Sequence, residues 1–318
     1  MSTLTARPAA PRADARIFDR AQAEGGGAAD TIRSLRTSAL LGWRVESNWT
    51  DPALFAIYTV ARPIASLLML VVMIDIIAGT GSESARTFVV LGSALWAILM
   101  AGIAGPAWSV LEDRERYRML KYLYVSPSEF LVQLVGRGSA RLVVGAMGTI
   151  VALVFAVILL GLRIDLGAVH WPLLVVAGGL GLAPVLSIGI LLAAICLQTR
   201  QESWSYPDAF AGALFLVSGV VFPLAVLPAV GQALGLLNPV TWWVAGVRLA
   251  IVPDGPTSIG GEGSLWTSLT GTATPDAATI LVALFLTGAL VTLAAIAIFR
   301  SSERRARDRG LLDRTTGS

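Results

Sequence analysis

Six apolar runs alternate with short polar segments along the chain, at residues 63–78, 87–110, 142–162, 172–197, 209–227 and 277–299. Each approaches or exceeds the roughly 20 residues that an α-helix needs to cross a ~30 Å hydrocarbon layer. The first gains length by extending back through Phe55 and Tyr58. This pattern predicts an all-α integral membrane protein with six transmembrane helices. Ahead of the first span, Leu35, Ala39, Leu40 and Trp43 recur at helical spacing while Arg36, Arg44 and Glu46 take the other side. That amphipathic stretch, residues 31–51, predicts a helix that either lies in the membrane interface or packs, solvated, on the bundle.

The fifth run does not end cleanly. From Ser218 to Arg248 the apolar pattern is interrupted by Pro223, Pro228 and Pro239, each of which removes a backbone donor and clashes with the preceding helical turn. A chain broken in this way reaches one face of the membrane and turns back, which is tolerated only where protein or a water-filled cavity surrounds it. Phe222, Pro223, Leu227, Pro228, Leu237, Asn238 and Pro239 are therefore candidate gate residues of a re-entrant segment. They suit two short buried helices, with Asn238 satisfying backbone groups freed at the turn.

A charged loop separates the second and third runs. Tyr117, Leu120 and Tyr124 fall on one stripe of a helix that also carries Glu112, Glu115, Arg116, Arg118 and Lys121. Ser126 then offers an N-cap, Pro127 suits a first helical position, and Glu129 can return a bond to the Ser126 amide. Such a capping box predicts a second helix running through Gly136 and Arg137 into the third span. On chemistry alone the short helix is either an interfacial anchor or a docking element.

Composition agrees with the membrane reading: 55% of residues are hydrophobic, 14% are charged, and mean hydropathy is +0.72. The net charge of +3 hides an uneven distribution. Seven arginines from Arg7 to Arg44 precede the first span; Arg114, Arg116, Arg118, Lys121 and Arg137 lie between spans two and three; Arg300 to Arg314 follow the last. Arg86, Arg163 and Arg248 remain for the other side, so both termini are expected in the cytoplasm. Nothing in this balance points to nucleic acid. Residues 1–30 read as a disordered cytoplasmic tail, 31–299 as the transmembrane domain and 300–318 as a basic cytoplasmic tail. Most tryptophans, including the Trp242–Trp243 pair, fall near span ends, where an indole favours the headgroup level. Trp96 falls inside a span and is expected to pack against another helix.

Taken in this order, the chain resembles the ABC-2 type permeases, the membrane subunits of ABC exporters that include drug, teichoic acid and O-antigen transporters. The resemblance covers nearly the whole chain: the leading amphipathic helix, six spans, the charged loop with its Ser126-Pro127 turn and Gly136-Arg137, and Phe222-Pro223 with Leu237-Asn238-Pro239 near the fifth span. Where members often carry Gly-Thr-Leu-Glu ahead of the turn, this chain has Arg118, Met119, Leu120 and Lys121. The resemblance implies that the loop is the coupling helix seated in a groove of an ABC ATPase subunit, and that re-entrant helices follow span five on the far side. It implies a half-transporter in the inner (cytoplasmic) membrane, paired with a second permease copy or a close paralogue and surrounded by lipid. ATP and Mg would be bound by the partner ATPase, with no cofactor bound by this chain. The predominantly apolar spans favour as cargo a lipid-like or amphiphilic drug over a free sugar, and suit a lipid-linked glycan as well, leaving the cytoplasm or inner leaflet.

Missing motifs point the same way. The sequence has no glycine-rich loop ending in Lys-Ser or Lys-Thr to cradle phosphates, no His-Glu-x-x-His pair, and one cysteine, Cys196. His170 stands alone as an interfacial residue. The competing class is an ion-coupled secondary carrier, which would need ionisable groups within the membrane and internal repeats. Asp75 is the acidic residue inside an apolar run; it either lines the exit pathway or is hydrated at the interface. Gly102, Gly105 and Pro106, with Gly178, Gly179, Gly181 and Pro184, permit either close helix packing or hinges. The Gly-, Ser- and Thr-rich loop over 253–276 is expected to be a mobile cap without its own core.

Overall fold

The computed structural model describes residues 27–47, 52–78, 83–126, 128–162, 164–199 and 203–308. Residues 1–26 and 309–318 of the expected tails, together with Trp49, Pro127 and Arg163, lie outside the described residues, as do the side chains of Lys121 and Tyr124. The helices are α1 (Ala28–Ser47), α2 (Pro52–Ala78), α3 (Glu83–Leu111), α4 (Leu120–Val125), α5 (Phe130–Leu159), α6 (Trp171–Gln198), α7 (Tyr206–Val217), α8 (Ala229–Leu237), α9 (Pro239–Ile251), α10 (Leu265–Thr270) and α11 (Ala277–Asp308). Five of them, α2, α3, α5, α6 and α11, hold apolar windows long enough to cross a membrane, and the bent pair α8–α9 supplies a further, broken span. The first span extends back to Pro52 as its flanking residues predict, and the last continues without interruption through the basic residues to Asp308.

Helices α3 and α6 form the middle of the bundle: 67% and 72% of their apolar windows are buried, against 11% for α2 and 22% for α11. Small residues let them meet. A Cβ on Gly189 of α6 would collide with the Gly102 and Ile103 carbonyls of α3, and one on Gly102 with Val185 and Leu142. Gly102, Gly105 and Gly181 thus serve close packing, while Gly178 and Gly179 face open space. Interhelical hydrogen bonds add to the packing, since lipid offers hydroxyls no alternative partner. Thr149 donates to the Ala94 carbonyl (2.8 Å), Ser187 and Thr292 pair at 3.0 Å, and Ser302 donates to the Ala194 carbonyl (2.6 Å). Peripheral α2 leaves Met69, Val72 and Ile76 exposed, as a face directed at acyl chains would be.

Helix α1 lies across the start of α5, with Gly42 against Ala140 and Gly136 against Ser38. Ser38 and Gly42 are its buried residues, whereas Ile32, Leu40, Leu41 and Trp43 point away from the bundle. The small positions therefore make the protein contact and leave the predicted apolar stripe uncovered.

Two expectations for the fifth run and the tryptophans require correction. The helix begun at Tyr206 stops at Val217 after 12 residues, about 18 Å. The chain then turns through Gly219, whose φ of +67° is open to glycine at little cost. Trp242 and Trp243 are not headgroup anchors but core residues, 4% and 3% exposed; the Trp243 indole donates to the Gly178 carbonyl (3.1 Å) and leaves no room for a side chain at Gly181. Trp96 meets the expectation for it, lying edge-on to Phe215 of α7 with ring centres 4.6 Å apart.

Candidate functional site

Three regions concern function: the charged loop at the end shared by α1 and the C-terminus of α11 (the base), the broken segment at the opposite end (the crown), and a cleft on one flank.

At the base, α3 widens into a π-turn over Glu112–Arg116. The Tyr117 amide donates to the Glu112 carbonyl (2.8 Å), and Arg118 then takes a left-handed conformation at φ +51° before α4 begins. The single charged helix expected over 112–124 is thus a π-turn and a short helix meeting at a break. The π-turn directs Asp113 and Arg114 into the protein, where both are buried. Asp113 pairs with Arg137 of α5. The Arg114 guanidinium donates to the Cys196 and Thr199 carbonyls (2.9 and 3.0 Å), satisfying the last turn of α6 as a cation at a helix C-terminus can. Arg141 of α5 bridges Glu46 of α1 (2.7 Å) and Glu112 (2.8 Å). Burial raises the Glu46 carboxyl above its usual range, opposed by Arg141 and reinforced by Glu112. One ionic layer thereby joins α1, α3, α5 and α6.

The loop departs from its sequence reading in two further ways. Leu120, expected to face a partner, is 2% exposed and belongs to the central apolar cluster with Phe130 and Phe299. The outward side chains are Arg116, Tyr117, Arg118 and Tyr122, with the Arg116 guanidinium 5.6 Å from the Tyr117 ring centre. The capping box does not form. Ser126 is extended and caps the end of α4, Glu129 is extended and makes no side-chain cap, and α5 starts at Phe130. Gln133 secures the turn instead, its amide donating to the Ser128 hydroxyl (2.6 Å) and carbonyl (3.2 Å). Gln133 lies a full turn beyond the Ser-Pro pattern, which gave no hint of it.

At the crown, α8 and α9 meet at 79° around Asn238. Pro239 occupies the first turn of α9, and the Asn238 side chain accepts from the Val240 amide (3.1 Å), the role anticipated for it. Pro223 and Pro228 stand at the starts of the 3₁₀ turn Leu224–Val226 and of α8. Phe222, Pro223 and Leu227 are half-buried and Asn238 and Pro239 buried, but Pro228 and Leu237 are exposed, so this part of the segment is less enclosed than its sequence predicts. Arg248, counted above as a basic residue of an outer loop, is 4% exposed. It donates to the Gly219 carbonyl (2.7 Å), the Ser258 hydroxyl (2.5 Å), the Phe88 carbonyl (2.9 Å) and the Val220 carbonyl, and its guanidinium carbon lies 3.6 Å from the Phe88 ring centre. Asp75 pairs with Arg86 at 3.6 Å, both partly exposed.

The 253–276 loop is not a coreless cap. Ile259 is buried in the central cluster, the Leu224 amide donates to the Ser258 carbonyl (2.9 Å), and the Leu265 amide donates to Gln232 Oε1 (2.6 Å). Trp266 packs edge-on against Trp242 at 5.7 Å. Ser264 caps α10 and Gly271 ends it at φ +73°.

On the flank, a cleft of about 530 Å³ opens between α2, α3 and α5, with Asp208 of α7 at its edge. Glu46, Arg62 and Arg141 bring charge to its lining, and Trp96, Met100, Trp108 and Val144 bring apolar surface. Spans of the sequence reading bound this cleft, but its amphipathic lining was not anticipated, because its residues come from five helices.

No curated protein matches the chain. The family model for the ABC-2 type transporter matches residues 37–252, about two thirds of the chain, and takes in the base loop, the cleft and the crown up to the end of α9. A leading amphipathic helix, five membrane-length helices with a sixth, broken span, and a bent helix pair at the crown agree with the architecture the resemblance implied, and with this match the chain belongs to the ABC-2 type transporter family, as a membrane transport subunit whose family works with an ABC ATPase.

Proposed function

We propose that this chain is the permease half of an ATP-driven exporter that moves a lipid-like or amphiphilic substrate, or a lipid-linked glycan, from the cytoplasm or inner leaflet outward. It would act with a second permease copy or close paralogue and two ATPase subunits, which bind ATP and Mg. The observation that carries this reading is the base loop: Arg116, Tyr117, Arg118 and Tyr122 face outward from a backbone continuous with α3, tied to α5 by the buried Asp113–Arg137 pair, to α6 by the Arg114 hydrogen bonds, and through Glu112 and Arg141 to α1. A push on that surface reaches four helices at once, because buried pairs separate only at high cost. Glu112, Glu115, Ser126 and the neighbouring Pro127, Lys121 and Tyr124 would frame the contact. At the crown, Phe222, Leu227 and the Asn238–Pro239 turn would narrow the exit. An ion-coupled carrier is less well supported, since Asp75 is already engaged by Arg86.

Tyr122→Ala is expected to reduce substrate-stimulated ATP hydrolysis of the reconstituted complex about tenfold, as loss of an aromatic interface anchor does. Its thermal unfolding should match that of the parent. Leu120→Asp should instead unfold the base, since the carboxylate would enter the apolar cluster. Parent-like coupling in Tyr122→Ala, Tyr117→Ala and their combination would remove the loop from the ATPase contact.

The proposed orientation places the base in the cytoplasm and the crown outside, with the exposed face of α1 against lipid headgroups. Cysteine at exposed Glu129 should then react with an impermeant maleimide only after the membrane is opened, and cysteine at exposed Glu262 in intact cells. Cys196 is buried and should contribute little background. Labelling of the Glu129 position in intact cells would invert the topology.

A further inference from the structure

The cleft between α2, α3 and α5 carries two opposite charges that no described residue neutralises. Arg62 of α2 and Asp208, in the first turn of α7, are both exposed and line it, and neither pairs with the other or with any described residue. The remaining charges of the same wall, Glu46 and Arg141, are paired at 2.7 Å. Thr59 and Ser66 flank Arg62 on the same face of α2, three and four residues away, and add hydroxyls to that end. The same lining includes apolar side chains, Trp96 and Met100 of α3 and Val144 of α5, among small residues.

A ligand of this cleft must satisfy both ends. A purely anionic amphiphile would meet Arg62 and leave Asp208 partly desolvated without a partner; a purely cationic one would do the reverse. A molecule bearing both charges on one polar end, with an apolar tail, meets every feature of the lining. We propose that this cleft is a binding site for a zwitterionic amphiphile, its anionic group on Arg62, its cationic group on Asp208 and its tail between Trp96, Met100 and Val144. The assignment rests on the exporter reading and narrows its substrate to amphiphiles of mixed charge.

The test is direct binding to the full-length chain in an uncharged maltoside detergent, without nucleotide or ATPase, followed by tryptophan fluorescence. Single-chain probes of equal acyl length carry a phosphoethanolamine, a sulfobetaine, a phosphate or a trimethylammonium head, and glycerophosphoethanolamine serves as the tail-less probe. The zwitterionic heads should bind about tenfold tighter than either singly charged head, the equivalent of one charge-assisted contact. Arg62→Gln should erase the advantage over the trimethylammonium probe, and Asp208→Asn the advantage over the phosphate probe. Preference for phosphoethanolamine over sulfobetaine identifies a membrane phospholipid headgroup as the source of the charge pair, and equal binding identifies the charge pair itself as the determinant; both support the site. The tail-less probe should bind far more weakly. Both replaced residues are exposed, and unchanged thermal unfolding confirms that the variants fold. Equal affinity for the four headed probes, or an order unaltered in both variants, overturns the proposal. Because no ATP hydrolysis enters the measurement, that outcome leaves the exporter reading intact, while loss of ATP-driven transport would leave the binding result intact.

Discussion

Replacing Arg248 with methionine is expected to cost on the order of 4 kcal/mol and to lower the unfolding temperature of the purified chain by about 6 °C. The guanidinium sits in a cage built from four separate parts of the chain: Phe88 near the start of α3, Gly219 and Val220 after α7, Ser258 in the cap, and α9 itself. Methionine fills similar volume but donates nothing, so the three carbonyls lose their donor where water has little access. The stacking on Phe88 goes as well. Lysine should recover only part of the loss, since one ammonium cannot reproduce the planar fork that reaches acceptors on both sides. Ser258→Ala should cost less than either, as it removes one of the four acceptors. Gly92 provides an independent check. A side chain there would meet both the Val220 carbonyl and the Arg248 guanidinium, so Gly92→Val should damage the same cage without touching the charge. An Arg248→Met protein that unfolds at the parental temperature would show that the cage contributes little.

Arg248 also shows what a sequence of this kind conceals. The apolar runs, the proline break and the Asn238 turn are local patterns, each set by hydropathy or by backbone chemistry within a few residues, and apart from the fifth run, whose helix ends at Val217, these are found where the sequence places them. The family resemblance rests on such local patterns and their order, and the same order is matched over residues 37–252. Partners are another matter. Counting Arg248 as an outward charge uses its sign alone, whereas its burial depends on Phe88, 160 positions away in sequence. The Trp242–Trp243 pair fails for a related reason: indoles near a break suit a headgroup layer equally well as sequence, and only the carbonyls of Leu236 and Gly178 explain why they turn inward. At the base, helical periodicity put Leu120 beside Tyr117 and Tyr124. The π-turn and the left-handed Arg118 break that register, so Leu120 joins the core while Tyr117 stays outside. The capping pattern at Ser126 was a sound local signal overridden by Gln133, whose amide reaches back to Ser128 and the Leu123 carbonyl.

Asp113→Ala should be among the most damaging single changes at the base, costing about 3–5 kcal/mol, because it strands the Arg137 guanidinium in a site where only 5% of that residue is exposed. The reverse change, Arg137→Met, should cost less. A carboxylate left without its partner can take up a proton and become neutral, whereas a guanidinium cannot lose its charge in a protein. The two single variants should therefore differ in their response to acid: lowering the pH should recover part of the stability lost in Arg137→Met and none of that lost in Asp113→Ala. Combining Asp113→Leu with Arg137→Met should return most of the stability, since a buried pair is often matched by apolar residues of similar size. It should not return coupling to the ATPase, because the layer through Arg137 to α5 would then be held by apolar contact alone, leaving Arg141 with Glu112 as the ionic tie between the π-turn and that helix. Unfolding in a graded denaturant measures the first effect, and substrate-stimulated ATP hydrolysis by the assembled complex measures the second. Full coupling in the double variant would assign Asp113–Arg137 to folding alone and leave transmission to Arg141 and Arg114. Equal losses in Asp113→Ala and Arg137→Met, unchanged by acid, would mean that the pair is reached by water and that its burial does not set its worth.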